Sequence, residues 1–334
     1  MSAAASLITH HSSLIMTQVT EFPLPDEVQR GALEANSLWR LTLRRLLRRP
    51  ASIIGLVILG ALILVAILAP LIAPYDPIEN LIGVEGAEKG ATPCIHWLGC
   101  PADRPQNIMG IDRNVRDLFS RVIFGTRISL SVGFVTVGFA IIVGTVLGAI
   151  AGYAGGWVDD LIMRVLDVLL AFPFLLLAIA IVSVLGPGLV NAMLAIAIVS
   201  MPTYARVVRG SVLSVREQAF VEASRALGAS PYRLLFIRIL PNALPPLIVQ
   251  ATLGIGTAIL DTAALSFIGL GAQPPDPEWG AMLAQERSQV FVYPHLVFFP
   301  GLAIMLTVLA FTLLGDGLRD ALDPRLAQAG VKGG

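Results

Sequence analysis

The sequence predicts an all-α integral membrane protein with six membrane-spanning helices. Of its 334 residues 55% are hydrophobic and only 14% are charged, with a mean hydropathy of +0.77. That balance belongs to a chain whose surface faces lipid rather than water. Apolar runs recur at close to the ~20 residues a helix needs to cross hydrocarbon. Basic residues are shared unequally between alternate connections, as the positive-inside rule requires. The formal net charge is zero, which gives no electrostatic footprint for a nucleic acid.

Residues 1–37 are polar and mixed, with Pro23 and Pro25 and no hydrophobic period, and read as a disordered cytoplasmic tail. No cleavable signal peptide is evident, because Leu7 to Met16 is interrupted by His10, His11 and Ser12 and lacks a basic start; Met16 offers an alternative initiator. Arg40, Arg44, Arg45, Arg48 and Arg49 then stand directly before the first apolar run, the arrangement of a cytoplasmic flank. The six predicted spans are Ile53–Ala73, Ile128–Gly152, Leu161–Gly186, Leu189–Arg206, Leu244–Ile268 and Tyr293–Gly315. With the amino terminus inside, the carboxyl terminus is inside too. Of the 23 Lys and Arg residues, seven fall outside: Lys89, Arg104, Arg113, Arg116, Arg121, Arg127 and Arg287. Arg121 and Arg127, close to the second span, run against the rule, although a loop as long as 74–127 is partly exempt from it.

That loop carries Cys94 and Cys100, six residues apart and on the oxidising side. A disulfide between them and a pair of free thiols are both open readings. A metal site using His96 lacks a third and fourth ligand.

Three features stand out inside the spans. Gly144, Gly148 and Gly152 recur every four residues, a spacing that lets another helix approach closely, though chance competes in a chain with 31 glycines. Pro173 is expected to bend the third span, since it removes a backbone donor and clashes with the preceding turn. Asp261, 17 residues after Leu244, is the one acid deep in an apolar run. An intramembrane carboxylate is costly and marks a pathway or gate; the alternative is a residue solvated at the outer interface.

Chemistry-bearing motifs are absent from the sequence. It has no G-x-x-x-x-G-K-[ST] phosphate loop, no H-E-x-x-H and no G-x-S-x-G. Asp167 and Asp261 are nearly the only carboxylates within the spans, too few for a proton relay. This chain is therefore not expected to energise transport itself or to hold a cofactor.

The longest polar interruption between spans, Glu222 to Pro241, reads as two short helices with a break. Gly228 is a natural terminator because glycine adopts positive φ without penalty. Ser230 and Pro231 supply an N-cap and an N1 proline for the second. On the first, Phe220, Ala223 and Leu227 form an apolar stripe with Glu222 and Arg225 beside it. Such a face at a membrane surface suits a groove in another protein; an ordinary cytoplasmic loop is the alternative.

Glu222-Ala223-Ser224, followed by Gly228 and then Leu240-Pro241, resembles the EAA signature of permease subunits in bacterial ABC importers. Ser224 stands where that family most often has alanine, and Arg238 where it often has isoleucine. Met109-Gly110-Ile111-Asp112-Arg113-Asn114-Val115-Arg116-Asp117, Gly125 to Leu130, Leu265 to Gly271 with Gln273-Pro274-Pro275, Trp279 to Leu283 and Leu314 to Pro324 resemble the dipeptide/oligopeptide/nickel group, specifically its second, C-type, permease. The resemblance covers roughly residues 38–326. Asp261 stands where the group usually has glutamate, and the stretch from about Glu79 to Pro105 is longer than its usual outer loop.

The resemblance implies a type I ABC importer (MetI-like) permease fold with a cytoplasmic coupling helix, in the cytoplasmic (inner) membrane. It implies residues 38–127 as the first span plus the extracytoplasmic loop, 128–326 as a five-helix core domain, and 327–334 as a tail. Glu222, Ala223, Ser224, Arg225, Gly228, Leu240 and Pro241 would carry coupling to an ATP-binding subunit. The implied partners are a second homologous permease, two ATP-binding subunits that hold ATP and magnesium, and an extracytoplasmic substrate-binding protein. No residue selects among dipeptides, longer peptides, nickel chelates and glutathione. An autonomous carrier or channel is the competing class.

Overall fold

A computed structural model describes residues 38–84, 87–101 and 106–322, with side chains from residue 42 onward. The tails expected at 1–37 and 327–334 lie outside the described residues. The chain divides into two units, Met1–Arg45 and Leu46–Gly334. Helix α1, Leu38–Leu46, accounts for the described part of the first.

In the second unit, α2 runs over Pro50–Ile72 and starts on a proline whose missing donor is free of cost at that position. Then come α3, Leu118–Ala154; α4, Gly156–Leu170; α5, Phe174–Leu185; α6, Leu189–Arg216; α7, Ala219–Ala226; α8, Pro231–Phe267; α9, Trp279–Glu286; and α10, Pro294–Leu322. Among the described residues five helices are long and apolar enough to cross a membrane, and six spans result when the bent pair α4–α5 is counted as one.

The third predicted span differs from expectation in degree. Pro173 does not merely bend it: α4 and α5 meet at 91° across residues 171–173. Proline disfavours helical φ/ψ at Phe172, so α4 stops at Leu170 and α5 restarts with Pro173 as its N-cap. The other spans run longer than predicted, α6 reaching Arg216 rather than Arg206 and α10 reaching Leu322 rather than Gly315. Helix α3 begins ten residues before Ile128, so the boundary expected at 127/128 falls within it, and its 37 residues reach ~55 Å. The second short helix expected after Ser230 is not separate, because α8 runs unbroken from Pro231 through the membrane. It does so through a π-helical segment, Leu234–Ile239, in which Leu240 N–H bonds to Leu235 O. Pro241, which has no N–H, follows at once, and the wider turn absorbs the lost donor.

Lipid is as apolar as leucine, so helices inside a bilayer associate through close packing more than through burial. Helix α3 makes its most extensive contact with α6. Gly144, Gly148 and Gly152 all face α6. A Cβ at Gly144 would lie 2.9 Å from Met201 O, one at Gly152 would lie 2.9 Å from Arg209 O, and one at Gly148 would overlap the Ala205 carbonyl. On the other side, Leu59, Leu130, Ile259, Ala310 and Phe311 join α2, α3, α8 and α10 in one cluster.

Several contacts fix which ends share a face. Arg49, before α2, pairs with Asp320 near the end of α10. Arg216 Nη1 at the end of α6 donates to the last carbonyls of α3, Gly152 O at 3.1 Å and Tyr153 O at 3.3 Å. These ends and α7 form one face. On the opposite face Gly188 N–H bonds to Leu270 O at 3.1 Å, joining the α5–α6 and α8–α9 connections. The long loop between α2 and α3 lies there too.

Candidate functional site

Five of the seven predicted coupling residues, Glu222, Ala223, Ser224, Arg225 and Gly228, lie on α7 or at its exit, whereas Leu240 and Pro241 lie in α8. Gln218 begins α7 and Val221, fully buried in the cluster of α3, α5, α6 and α8, anchors it. The opposite stripe is open to solvent: Phe220, Ala223 and Leu227 are exposed, Leu227 at 89%. Glu222 and Arg225 are exposed beside it, and the Glu222 carboxylate has no partner among the described residues.

Helix α7 ends in a Schellman motif. Gly228 has φ +79°, its N–H bonds to Arg225 O at 3.0 Å, and Ala229 N–H bonds to Ser224 O at 3.1 Å. The reversal needs that left-handed residue. Ser230 Oγ then accepts from Arg233 N–H at 3.4 Å, with Pro231 opening α8. The start of α8 adds exposed Tyr232 and Phe236, whose rings lie 4.7 Å apart.

The two departures from the EAA pattern are accommodated. Ser224 Oγ bonds to Phe220 O at 2.8 Å, satisfying its hydroxyl within the turn. Arg238 points outward, while Leu234, Leu235 and Ile239 form the buried side. Leu240 is half-buried and Pro241 exposed in the first turns of α8, apart from α7 itself.

Behind this surface two ion pairs tie α4 to α6. Arg209 binds Asp159 with Nε to Oδ1 at 2.5 Å and Nη2 to Oδ2 at 2.6 Å; Arg206 Nη2 meets Asp167 Oδ1 at 2.7 Å. Eight residues on α4 span ~12 Å, while three on α6 span ~4.5 Å, so α4 crosses α6 steeply as a strap. Nothing in the sequence predicts these pairs.

Between α3, the α4–α5 break, α6 and α8 lies a cavity of about 240 Å³. Asp261 lines it, together with Ser200, Thr203, Tyr204, Gln250 and Thr257. Asp261 is half-buried and faces a half-open cavity between these helices, which the run of sequence around it does not reveal.

The opposite face is organised by a buried polar layer. Asp112 Oδ2 accepts from Arg116 Nε at 2.8 Å and lies 3.6 Å from Arg121 Nε. Arg116 Nη2 also donates to Gln285 Oε1 at 2.9 Å, and Arg121 Nη1 to Pro77 O at 2.9 Å and Pro275 O at 3.3 Å. Arg121, an exception to the charge rule in sequence, is a buried tie between loops. Glu278 caps α9 by accepting from Gly280 N–H at 2.9 Å and Ala281 N–H at 2.8 Å. Burial raises the carboxyls of Asp117, Glu278 and Glu286 above the ordinary carboxylate range. Further out, Cys94 and Cys100 are joined in a disulfide with Cα atoms 5.4 Å apart, so neither sulfur is a metal ligand. Cys94 also pairs with Asn107 across a β-bridge.

Residues 144–328 match the family described as binding-protein-dependent transport system inner membrane component, and residues 37–83 match the N-terminal transmembrane domain of oligopeptide transport permease C. The chain belongs to this family of binding-protein-dependent permeases. It is 47% identical over 323 residues to the dipeptide transport system permease protein DppC of Alkalihalophilus pseudofirmus, covering 95% of this chain and 99% of that one. It is 46% identical over 288 residues to the glutathione transport system permease protein GsiD of Pectobacterium atrosepticum, covering 86% and 91%. Two crystal forms of the MetNI methionine ABC transporter, both in inward-facing conformations, align with TM-scores of 0.50 and 0.51 at 22% and 21% identity, each covering 62% of this chain and 97% and 98% of theirs. They share the permease fold. This permease is a multi-pass membrane subunit of an ABC import system, of the C type.

Proposed function

We propose that this chain is the translocation subunit of an ATP-driven peptide importer in the inner membrane, with both termini cytoplasmic. Helix α7 seats in a groove of an ATP-binding subunit, the second of which serves a homologous permease that completes the pathway. ATP hydrolysis and its magnesium belong to those subunits. A substrate-loaded binding protein docks on the face that carries the disulfide loop.

The observation that carries this reading is α7 itself. It is a short helix anchored by one buried residue, Val221, with its apolar stripe turned to solvent and its exit set by Gly228. A contiguous exposed apolar patch beside charged residues marks a protein contact. Glu222 and Arg225 rim it, Ala223 and Ser224 belong to the same helix, and Leu240 and Pro241 support it from α8. The basic residues of α6, α7 and α8 on that face support a cytoplasmic position for it. The peptide cargo is supported by the dipeptide and glutathione permeases among the relatives.

The test is a tagged purification in mild detergent from the native cell, followed by mass spectrometry. The expected result is recovery of an ATP-binding subunit and a second permease, with the ATP-binding subunit lost and the permease retained in Leu227→Asp. Recovery of the chain alone across several detergents would sink the reading.

A further inference from the structure

The cavity at the α4–α5 break contains an uncompensated charge. Among the residues that line it, Asp261 alone is charged at neutral pH, and its carboxylate has no hydrogen bond or ion pair among the described residues. Gln250, Gly254, Thr257 and Asp261 are spaced by four, three and four, which puts them on one face of α8. From Gln250 to Asp261 that face extends ~16 Å. Across from it α6 presents Ser200, Thr203 and Tyr204.

The polar groups differ in whether they are already satisfied. Ser200 Oγ bonds to Ile196 O at 2.8 Å and Thr257 Oγ1 to Gly254 O at 2.9 Å, both within their own helices. The Tyr204 hydroxyl lies against Gly254, where a Cβ would overlap it, and like the Thr203 hydroxyl and the Gln250 amide it has no hydrogen-bond partner among the described residues. One carboxylate, two hydroxyls (Thr203 and Tyr204) and one amide therefore face the same space with free hydrogen-bonding capacity.

Asp261 is half-buried in a half-open cavity; an unpaired carboxylate partly withdrawn from water carries a cost, and a cation that fills its hydrogen-bonding positions relieves it. A primary ammonium fits best: it carries one full charge and three donors, enough for Asp261 and one neutral oxygen together. We propose that Asp261 binds the free amino terminus of peptide cargo in transit through this subunit, with Tyr204 and Gln250 as neutral contacts along the chain that follows. This rests on the peptide-import reading above and adds a recognition element to it.

The test uses the purified complex with its receptor omitted, so that selection by the receptor is removed, and saturation-transfer NMR with two probes, dialanine and N-acetyl-dialanine. Wild type should bind dialanine about tenfold more tightly than the acetylated probe, the ratio expected from one charge-assisted contact. Asp261→Asn should erase that preference and Asp261→Glu should keep most of it, both variants co-purifying with the partner permease. Equal binding of the two probes by wild type, or an unchanged preference in Asp261→Asn, overturns the inference. So does loss of the partner permease from Asp261→Asn alone, which would make Asp261 an intersubunit contact. Receptor-dependent uptake of dialanine into vesicles separates the two levels. Uptake with no amino-terminal preference defeats this inference only, whereas no peptide uptake at all defeats the import reading and this inference with it.

Discussion

Arg209 grips Asp159 through two parallel contacts, 2.5 and 2.6 Å long, and by doing so fastens α4 across α6. The planar guanidinium matches the carboxylate fork in a way an ammonium cannot. Asp159 is buried, so Arg209→Ala strands its charge and should cost about 1–3 kcal/mol. Arg209→Lys should recover only part of the loss. The Arg206–Asp167 pair is more than half exposed on both sides, and Arg206→Ala should cost no more than ~1 kcal/mol. Thermal melting of the detergent-solubilised subunit distinguishes the two positions.

At Gly228 the constraint is backbone conformation, not space, because a Cβ there would meet nothing within 4 Å. Gly228→Val should cost ~1–2 kcal/mol locally through its left-handed φ, redirect the exit from α7 and abolish most uptake while membrane levels hold. Asparagine tolerates that φ, so Gly228→Asn should retain most uptake. Undiminished transport by the valine variant would count against a docking turn.

Space is what matters at Gly148. Alanine there would overlap the Ala205 carbonyl, whereas alanine at Gly138 on the same helix meets nothing within 4 Å. Gly148→Ala should therefore destabilise the subunit and Gly138→Ala should raise its melting point slightly, by helix propensity. Size-exclusion profiles and melting curves of both variants check the contrast.

Removing Asp112 leaves Arg116 and Arg121 buried without their shared counter-charge. Asp112→Ala should cost about 3–5 kcal/mol. The expected readout is faster proteolysis of the outer loops, with α7 unaffected. Unchanged protease resistance would mean that the arginines are held by Gln285 and the loop carbonyls alone.

Peptide mapping without reductant should yield a fragment linking Cys94 to Cys100. Reduction should lower the stability of the loop by about 2 kcal/mol, the loop-closure value for so short a ring. Free thiols at both positions would refute the pairing.

The parts of this molecule that could be read from sequence are those set by local chemistry. Gly228 and Ser230-Pro231 mark a reversal because their backbone preferences do not depend on distant residues. The existence of the spans follows from run length for the same reason. Pro173 located the break in the third span but not its size, since α4 and α5 are both apolar and no periodicity tells a bend from a right angle. Contacts between distant residues left no trace. Arg116 and Gln285 are 169 positions apart, and Arg209 and Asp159 are 50. The Gly144, Gly148 and Gly152 spacing was visible, but only the facing Ala205 carbonyl separates it from coincidence. Asp261 was conspicuous as a charge, yet its cavity is assembled from five helices and has no signature in any one of them.

The glycine stripe has a mechanical side. Helix α3 is held by the Asp112 layer near its first turn and by Arg216 at its last, and between these its backbone touches that of α6. Sliding by one residue would drive a side chain into the Ala205 carbonyl, so the pair resists shear and tilts as one stiff beam. Helix α7 hangs from one end of that beam and the loops of the opposite face from the other. On the coupling role proposed above, a displacement applied at α7 would be delivered across the full thickness of the membrane with little lost to elastic give.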